Sequence, residues 1–170
     1  FGGSTKLDNG LSFAVHVELE GNAHGTDNID ESYMTIKGDF GQVIIGSENS
    51  AMYKMHYAPS DFGIGINSGD QYNWTARGSI TGGGYFRGAY GSTYVEPSRT
   101  NDSEKITYFS PRMSGIQFGV SYIPQNSQDG GSVTSAGDRD SSKTDGITAG
   151  INYSGKFSGA SLGASLGYGT

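Results

Sequence analysis

The chain has 170 residues, 29 of them glycine, no cysteine, and a net charge of -6 from 17 acidic and 11 basic side chains. The charges are dispersed without a basic stripe, which argues against nucleic acid as a partner, and the absence of thiols removes disulfide frameworks and thiolate metal sites. The 11 Tyr and 8 Phe are too many for a disordered chain, and no run approaches the roughly 18 to 20 consecutive apolar residues of a transmembrane helix.

In chain order, a partial strand pattern over 1–7 runs into Asp8-Asn9-Gly10, a tight-turn sequence. From 11 to 20, apolar Phe13, Val15, Val17 and Leu19 alternate with Ser12, Ala14, His16, Glu18 and Glu20, the period of two of a strand with unlike faces. A longer connection over 21–30 precedes two weaker strands, 32–37 and 42–46, joined by Gly38-Asp39-Phe40-Gly41. The stretch 47–104 is too long for a structureless loop in a compact domain and is therefore expected to be functional. Within it, 50–57 is expected to form a short helix, and Gly82-Gly83-Gly84 to allow close approach to a wall.

A strand over 105–109 then passes through a turn at 110–115 into 116–122, where Ile116, Phe118, Val120 and Tyr122 alternate with Gln117, Gly119 and Ser121. After a long connection over 124–146, the same alternation recurs over 147–153. Past a turn at 155–159 it is cleanest: Ala160, Leu162, Ala164, Leu166 and Tyr168 alternate with Ser161, Gly163, Ser165 and Gly167. This gives about eight strands, with Pro59, Pro97, Pro111 and Pro124 all expected outside strand interiors because proline cannot donate to a ladder.

Short turns thus alternate with long loops, as in a transmembrane barrel with tight turns on one side of the membrane and longer loops on the other. The residues opposite the apolar rows are mostly small and uncharged, which suits a wet lumen; a soluble barrel with its apolar rows inward would carry many Lys and Glu outside. The expected class is all-β, an antiparallel transmembrane β-barrel.

Several segments, in order, resemble the hairpins of Gram-negative general diffusion porins, especially the alphaproteobacterial type. They are Ser4-Thr5-Lys6-Leu7-Asp8-Asn9-Gly10-Leu11 with Val17-Glu18-Leu19-Glu20-Gly21, and Asp30-Glu31-Ser32-Tyr33 with Lys37-Gly38-Asp39-Phe40-Gly41-Gln42-Val43. Lys105-Ile106-Thr107-Tyr108-Phe109-Ser110-Pro111 and Gly115-Ile116-Gln117-Phe118-Gly119-Val120-Ser121-Tyr122 resemble the next hairpin. The resemblance implies a homotrimer of sixteen-stranded barrels, of which 1–170 is expected to be a partial barrel domain, about the second to ninth strands; a complete eight-stranded barrel is the alternative, since eight strands can close. The chain starts without Met or a signal-peptide pattern, as a processed or partial chain would.

The same resemblance makes 47–104 the third loop, which folds into a porin barrel and narrows it, and implies passive diffusion of small hydrophilic solutes and ions across the outer membrane. The loop's acids, Glu48, Asp61, Asp70, Glu96, Asp102 and Glu104, stand against Lys54, Arg77, Arg87 and Arg99. Candidate constriction residues are Asp61 and Asp70, with Arg77, Arg87, Arg99 and Lys105 as cations; strand parity adds His16 and Glu18 from the wall. The alternative for each is a solvated loop charge. No catalytic constellation is present, and His16, His24 and His56 lack metal-ligand spacing, so neither an enzyme nor a cofactor is expected. Asp138-Arg139-Asp140 and Asp145 admit a structural Ca²⁺ or a lipopolysaccharide bridge, with a solvated loop favoured. Expected partners are outer-membrane lipid and lipopolysaccharide. The rival function is a small structural or adhesive barrel acting through its external loops, and the course of 47–104, inward or outward, separates the two.

Overall fold

The computed structural model describes residues 1–19, 29–57, 103–125 and 144–170. Eight strands form one antiparallel sheet in sequence order: β1 (Gly2–Lys6), β2 (Ser12–Leu19), β3 (Ile29–Gly38), β4 (Gly41–Ser47), β5 (Glu104–Phe109), β6 (Ile116–Gln125), β7 (Thr144–Phe157) and β8 (Ala160–Gly169). No pairing joins β1 to β8 among the described residues, so these strands form an open sheet rather than a closed eight-stranded barrel. One short helix, α1 (Ala51–Met55), follows β4. No described helix is long and apolar enough to cross a membrane.

The turns β1–β2, β3–β4, β5–β6 and β7–β8 are short and the other connections long, as the sequence leads one to expect. Two of the turns are tighter than their composition suggests. Ser114-Gly115 and Ser158-Gly159 each place two consecutive residues at positive φ, 50° and 86°, then 48° and 84°. That is the primed turn whose twist matches a two-residue hairpin, and the glycine takes its second position without a Cβ clash. β7 accordingly continues to Phe157, through residues that sequence composition assigns to the turn.

Pro124 is a correction, because it lies inside β6. The β5 ladder ends at Ile106–Tyr122, so Pro124 sits beyond the paired stretch on that side and its missing N–H breaks no bond to β5.

Cross-strand register assigns residues to two faces. Ile106, Tyr122 and Ile147 lie side by side, as do Phe118, Ile151 and Leu166, and Ile116, Tyr153 and Ala164. This bare face is apolar yet exposed, with Leu162 at 54% and Leu166 at 74%. Contiguous exposed apolar surface on this scale is what a barrel turns to lipid. The opposite face carries α1, and the small core lies beneath that helix: Ile44, Ala51, Met55 and Phe109, with Tyr33 against them.

Candidate functional site

The site is the helix-bearing face. Its residues come from the alternate positions of each strand, and where α1 crosses it they are small. Gly119 is directly opposite Gly150, and Gly150 opposite Gly167, so three neighbouring strands present a row without Cβ atoms. The helix lies on that row. A Cβ on Gly150 would meet Met55 Cβ at 3.0 Å and Ala51 O at 3.1 Å, and one on Gly167 would run into Met52 Cγ.

Polar groups on either side of the row fix the helix along its length. The backbone N–H of Ala51 donates to Ser121 Oγ at 2.8 Å, supplying a wall acceptor where the Ser50 side chain makes no cap. Thr107 Oγ1 shares a hydrogen bond with the same hydroxyl at 2.7 Å. At the other end Asn152 Nδ2 donates to Met55 O at 3.0 Å, and the Tyr57 N–H donates to Ser165 Oγ at 2.8 Å. Arg112 reaches from the β5–β6 turn to Asn152 Oδ1 at 2.8 Å and Gln117 Oε1 at 2.9 Å, holding the amide that holds the helix. From Ser47 to Tyr57 the long connection therefore runs along the sheet face.

Its two ends are tied together. Lys105, 3% exposed, donates to the carbonyls of Glu48 and Ser103, which flank the connection. Glu48 accepts from its neighbour's Asn49 N–H at 2.8 Å and meets the Lys54 ammonium at 2.8 Å. Burial alone would raise the Glu48 carboxyl's pKa, but Lys54 and the Asn49 donors outweigh it and hold the group below the usual carboxylate range. Asn49 Nδ2 also donates to Glu31 Oε1 at 3.0 Å, linking the start of the connection to β3.

His16 and Glu18 lie on this face as parity predicts, opposite Tyr33 and Glu31. His16 Nε2 is 3.7 Å from Glu18 Oε2, and its ring centroid is 5.1 Å from that of Tyr33. Lys105 is on the same face, but its ammonium is directed at the backbone carbonyls of Glu48 and Ser103. Asp61, Asp70, Arg77, Arg87 and Arg99 lie outside the described residues, as do Gly82-Gly83-Gly84 and Asp138-Arg139-Asp140. Asp145 accepts a hydrogen bond from Tyr122 OH at 2.6 Å.

Sequence reasoning missed Glu31, Arg112 and Asn152 as site residues. Glu31 stands opposite Glu18 only through the observed β2–β3 register; nothing local marks the other two, because their role depends on how α1 crosses the sheet. The face is polar, charged at its edges and partly covered by a segment folded onto it. Among the described residues no group of three His, Cys, Asp or Glu is placed to hold a metal.

A family model described as Gram-negative porin matches residues 1–170. No curated protein and no solved structure matches the chain.

Proposed function

The chain belongs to the Gram-negative porin family, an outer-membrane channel family rather than an enzyme family, and from that premise we propose that it walls a water-filled pore through which small hydrophilic solutes and ions diffuse down their gradients. The helix-bearing face lines the water and the bare face meets lipid and lipopolysaccharide. The observation that carries this reading is the inward course of the connection after β4: Ala51, Met55 and Tyr57 are all hydrogen-bonded to the sheet. An adhesive barrel would project that segment from its rim.

In this reading the remainder of the connection completes the constriction, with Asp61 and Asp70 as its acids and Arg77, Arg87 and Arg99 as its cations. Acids and bases on opposing sides set a transverse field that acts on polar solutes. His16 and Glu18 contribute from the wall. The functional assembly is a trimer of sixteen-stranded barrels, and no cofactor or covalent step takes part.

Planar-bilayer recording of the purified full-length protein tests the proposal. Discrete, stable conductance steps are expected, together with swelling of proteoliposomes in small sugars. Folded protein that leaves bilayers insulating would overturn it.

A further inference from the structure

Among the described residues the balance of exposed charge differs between the two ends of the sheet. At the turn end, Lys6 is opposite Ser12 and Ser12 opposite Lys37, so both lysines share one row of the helix-bearing face; that row continues through Gln42 to Phe109, which packs beside Met55. Lys156, opposite Ser161, and Arg112 belong to the same end. All four are exposed, and the turn carboxylates Asp8 and Asp39 leave that end net positive. At the loop end, Glu18 faces Glu31 across β2–β3 and Glu48 follows β4. Glu48 is buried and paired with Lys54, and Lys105 is buried against carbonyls, so among the described residues the water-facing charge at that end is that of Glu18 and Glu31.

On β2 the lysine row at Ser12 and the acid row at Glu18 are six residues apart, roughly 20 Å along the strand and about 15 Å along the membrane normal at ordinary barrel tilt. The Debye length at physiological salt is about 8 Å, so the two zones act separately.

We infer that the pore carries a lengthwise charge asymmetry, negative at the loop mouth and positive at the turn mouth, and that it rectifies ionic current. This rests on the channel reading above and extends it, because a transverse constriction field has no preferred direction along the axis. Cations concentrate at the loop mouth and anions at the turn mouth. A potential positive on the loop side drives both from their enriched zones into the lumen and raises conductance. The opposite polarity draws both out and lowers it. Anionic solutes are correspondingly favoured for entry from the turn side.

The test is single-channel recording of the full-length protein in symmetric KCl at low and high concentration. Orientation is read by placing a cysteine in the first turn, Asn9→Cys, and capping it with an impermeant biotin reagent and streptavidin from one chamber. At 0.1 M salt the current is expected to be larger with the loop side positive, by about 2-fold, and the ratio to approach unity at 1 M, where the Debye length is about 3 Å. The triple variant Lys6→Gln, Lys37→Gln, Lys156→Gln, checked for folding by gel mobility, is expected to lose most of the asymmetry while still conducting. A clear conductance with equal currents at 0.1 M, a reversed polarity, or an unchanged ratio in the triple variant would overturn the inference and leave the channel reading standing. Absence of any conductance would overturn both.

Discussion

Gly119→Ala is the sharpest probe of how the helix is seated. The added methyl would lie 2.6 Å from Phe109 Cδ1 and 2.8 Å from Met55 Sδ. Carbon contacts sit at about 3.5 to 4.0 Å, so about 1 Å must be found. Phe109 and Met55 are 7% and 2% exposed, which leaves the ring little room to swing, and the helix must lift off the sheet. Overpacking of this kind costs about 1 to 3 kcal/mol, against a gain of about 0.5 to 1 kcal/mol for replacing a strand glycine by alanine. The net expectation is a loss centred on about 1 kcal/mol, within a range of about 0 to 2.5 kcal/mol. Gly163→Ala, on the same face, would place its methyl 3.4 Å from the Tyr57 ring, at the edge of ordinary contact, and should keep most of the alanine gain. Urea unfolding of the detergent-folded protein, followed by far-UV circular dichroism, should therefore separate the two variants by about 2 kcal/mol. Bilayer recordings of Gly119→Ala should also show a reduced conductance step, because the lifted helix enters the lumen. Equal midpoints for the two variants would refute the close-packed seat.

Asn152→Ala removes the donor to Met55 O and leaves Arg112 without one of its acceptors; a loss of about 1 to 3 kcal/mol is expected in the same unfolding assay, with Gln117→Ala milder because its bond to Arg112 is exposed and it does not touch the helix. The Glu48 carboxyl is held below its ordinary pKa of 4.5, so its contribution to stability is full above that value and is lost as pH falls through the lowered one. The difference in urea midpoint between the native protein and Glu48→Gln should therefore stay constant from pH 7 down to about 4.5 and shrink only in more acidic solution; a difference that fades already near pH 6 would contradict the pairing. Replacing Asp61 and Asp70 by Asn should lower cation preference, read as a shift in reversal potential under a salt gradient, and an unchanged potential would remove them from the constriction.

The strand framework is legible in residue alternation because the two sheet faces carry unlike residues, one row apolar and the other small or polar. β8 is the clearest case: Leu162, Leu166 and Tyr168 on one side and Ser165 and Gly167 on the other leave no second assignment. Where alternation failed, tertiary context decided. The end of β7 was obscured by Gly155 and Lys156, which compose a turn in isolation but form part of the ladder once Ser158-Gly159 takes the reversal. Pro124 lies within a strand because a proline's cost depends on which neighbouring strand is still present, and β5 has ended before it. A short helix within 50–57 is legible in the sequence, but its seat on the sheet is not: Gly119, Gly150 and Gly167 of the wall provide it. Each of those three sits in its own strand as one more small residue, and only the registers of β6, β7 and β8 bring them side by side. Lys105 similarly reads as a free loop-end cation until the fold brings Glu48 and Ser103 to its ammonium.

The central claim, that the helix-bearing face meets water and the bare face meets lipid, is open to direct measurement because these 170 residues contain no cysteine. Single cysteines at Ser4, His16 and Ser161 on one face, and at Val15, Leu162 and Leu166 on the other, can be exposed to a charged, membrane-impermeant thiol reagent while the reconstituted protein conducts in a bilayer. Rapid modification with a stepwise change in current at the first three, and none at the second three, is the predicted result; equal reactivity on both faces, or reaction at Leu162 and Leu166 alone, would contradict it.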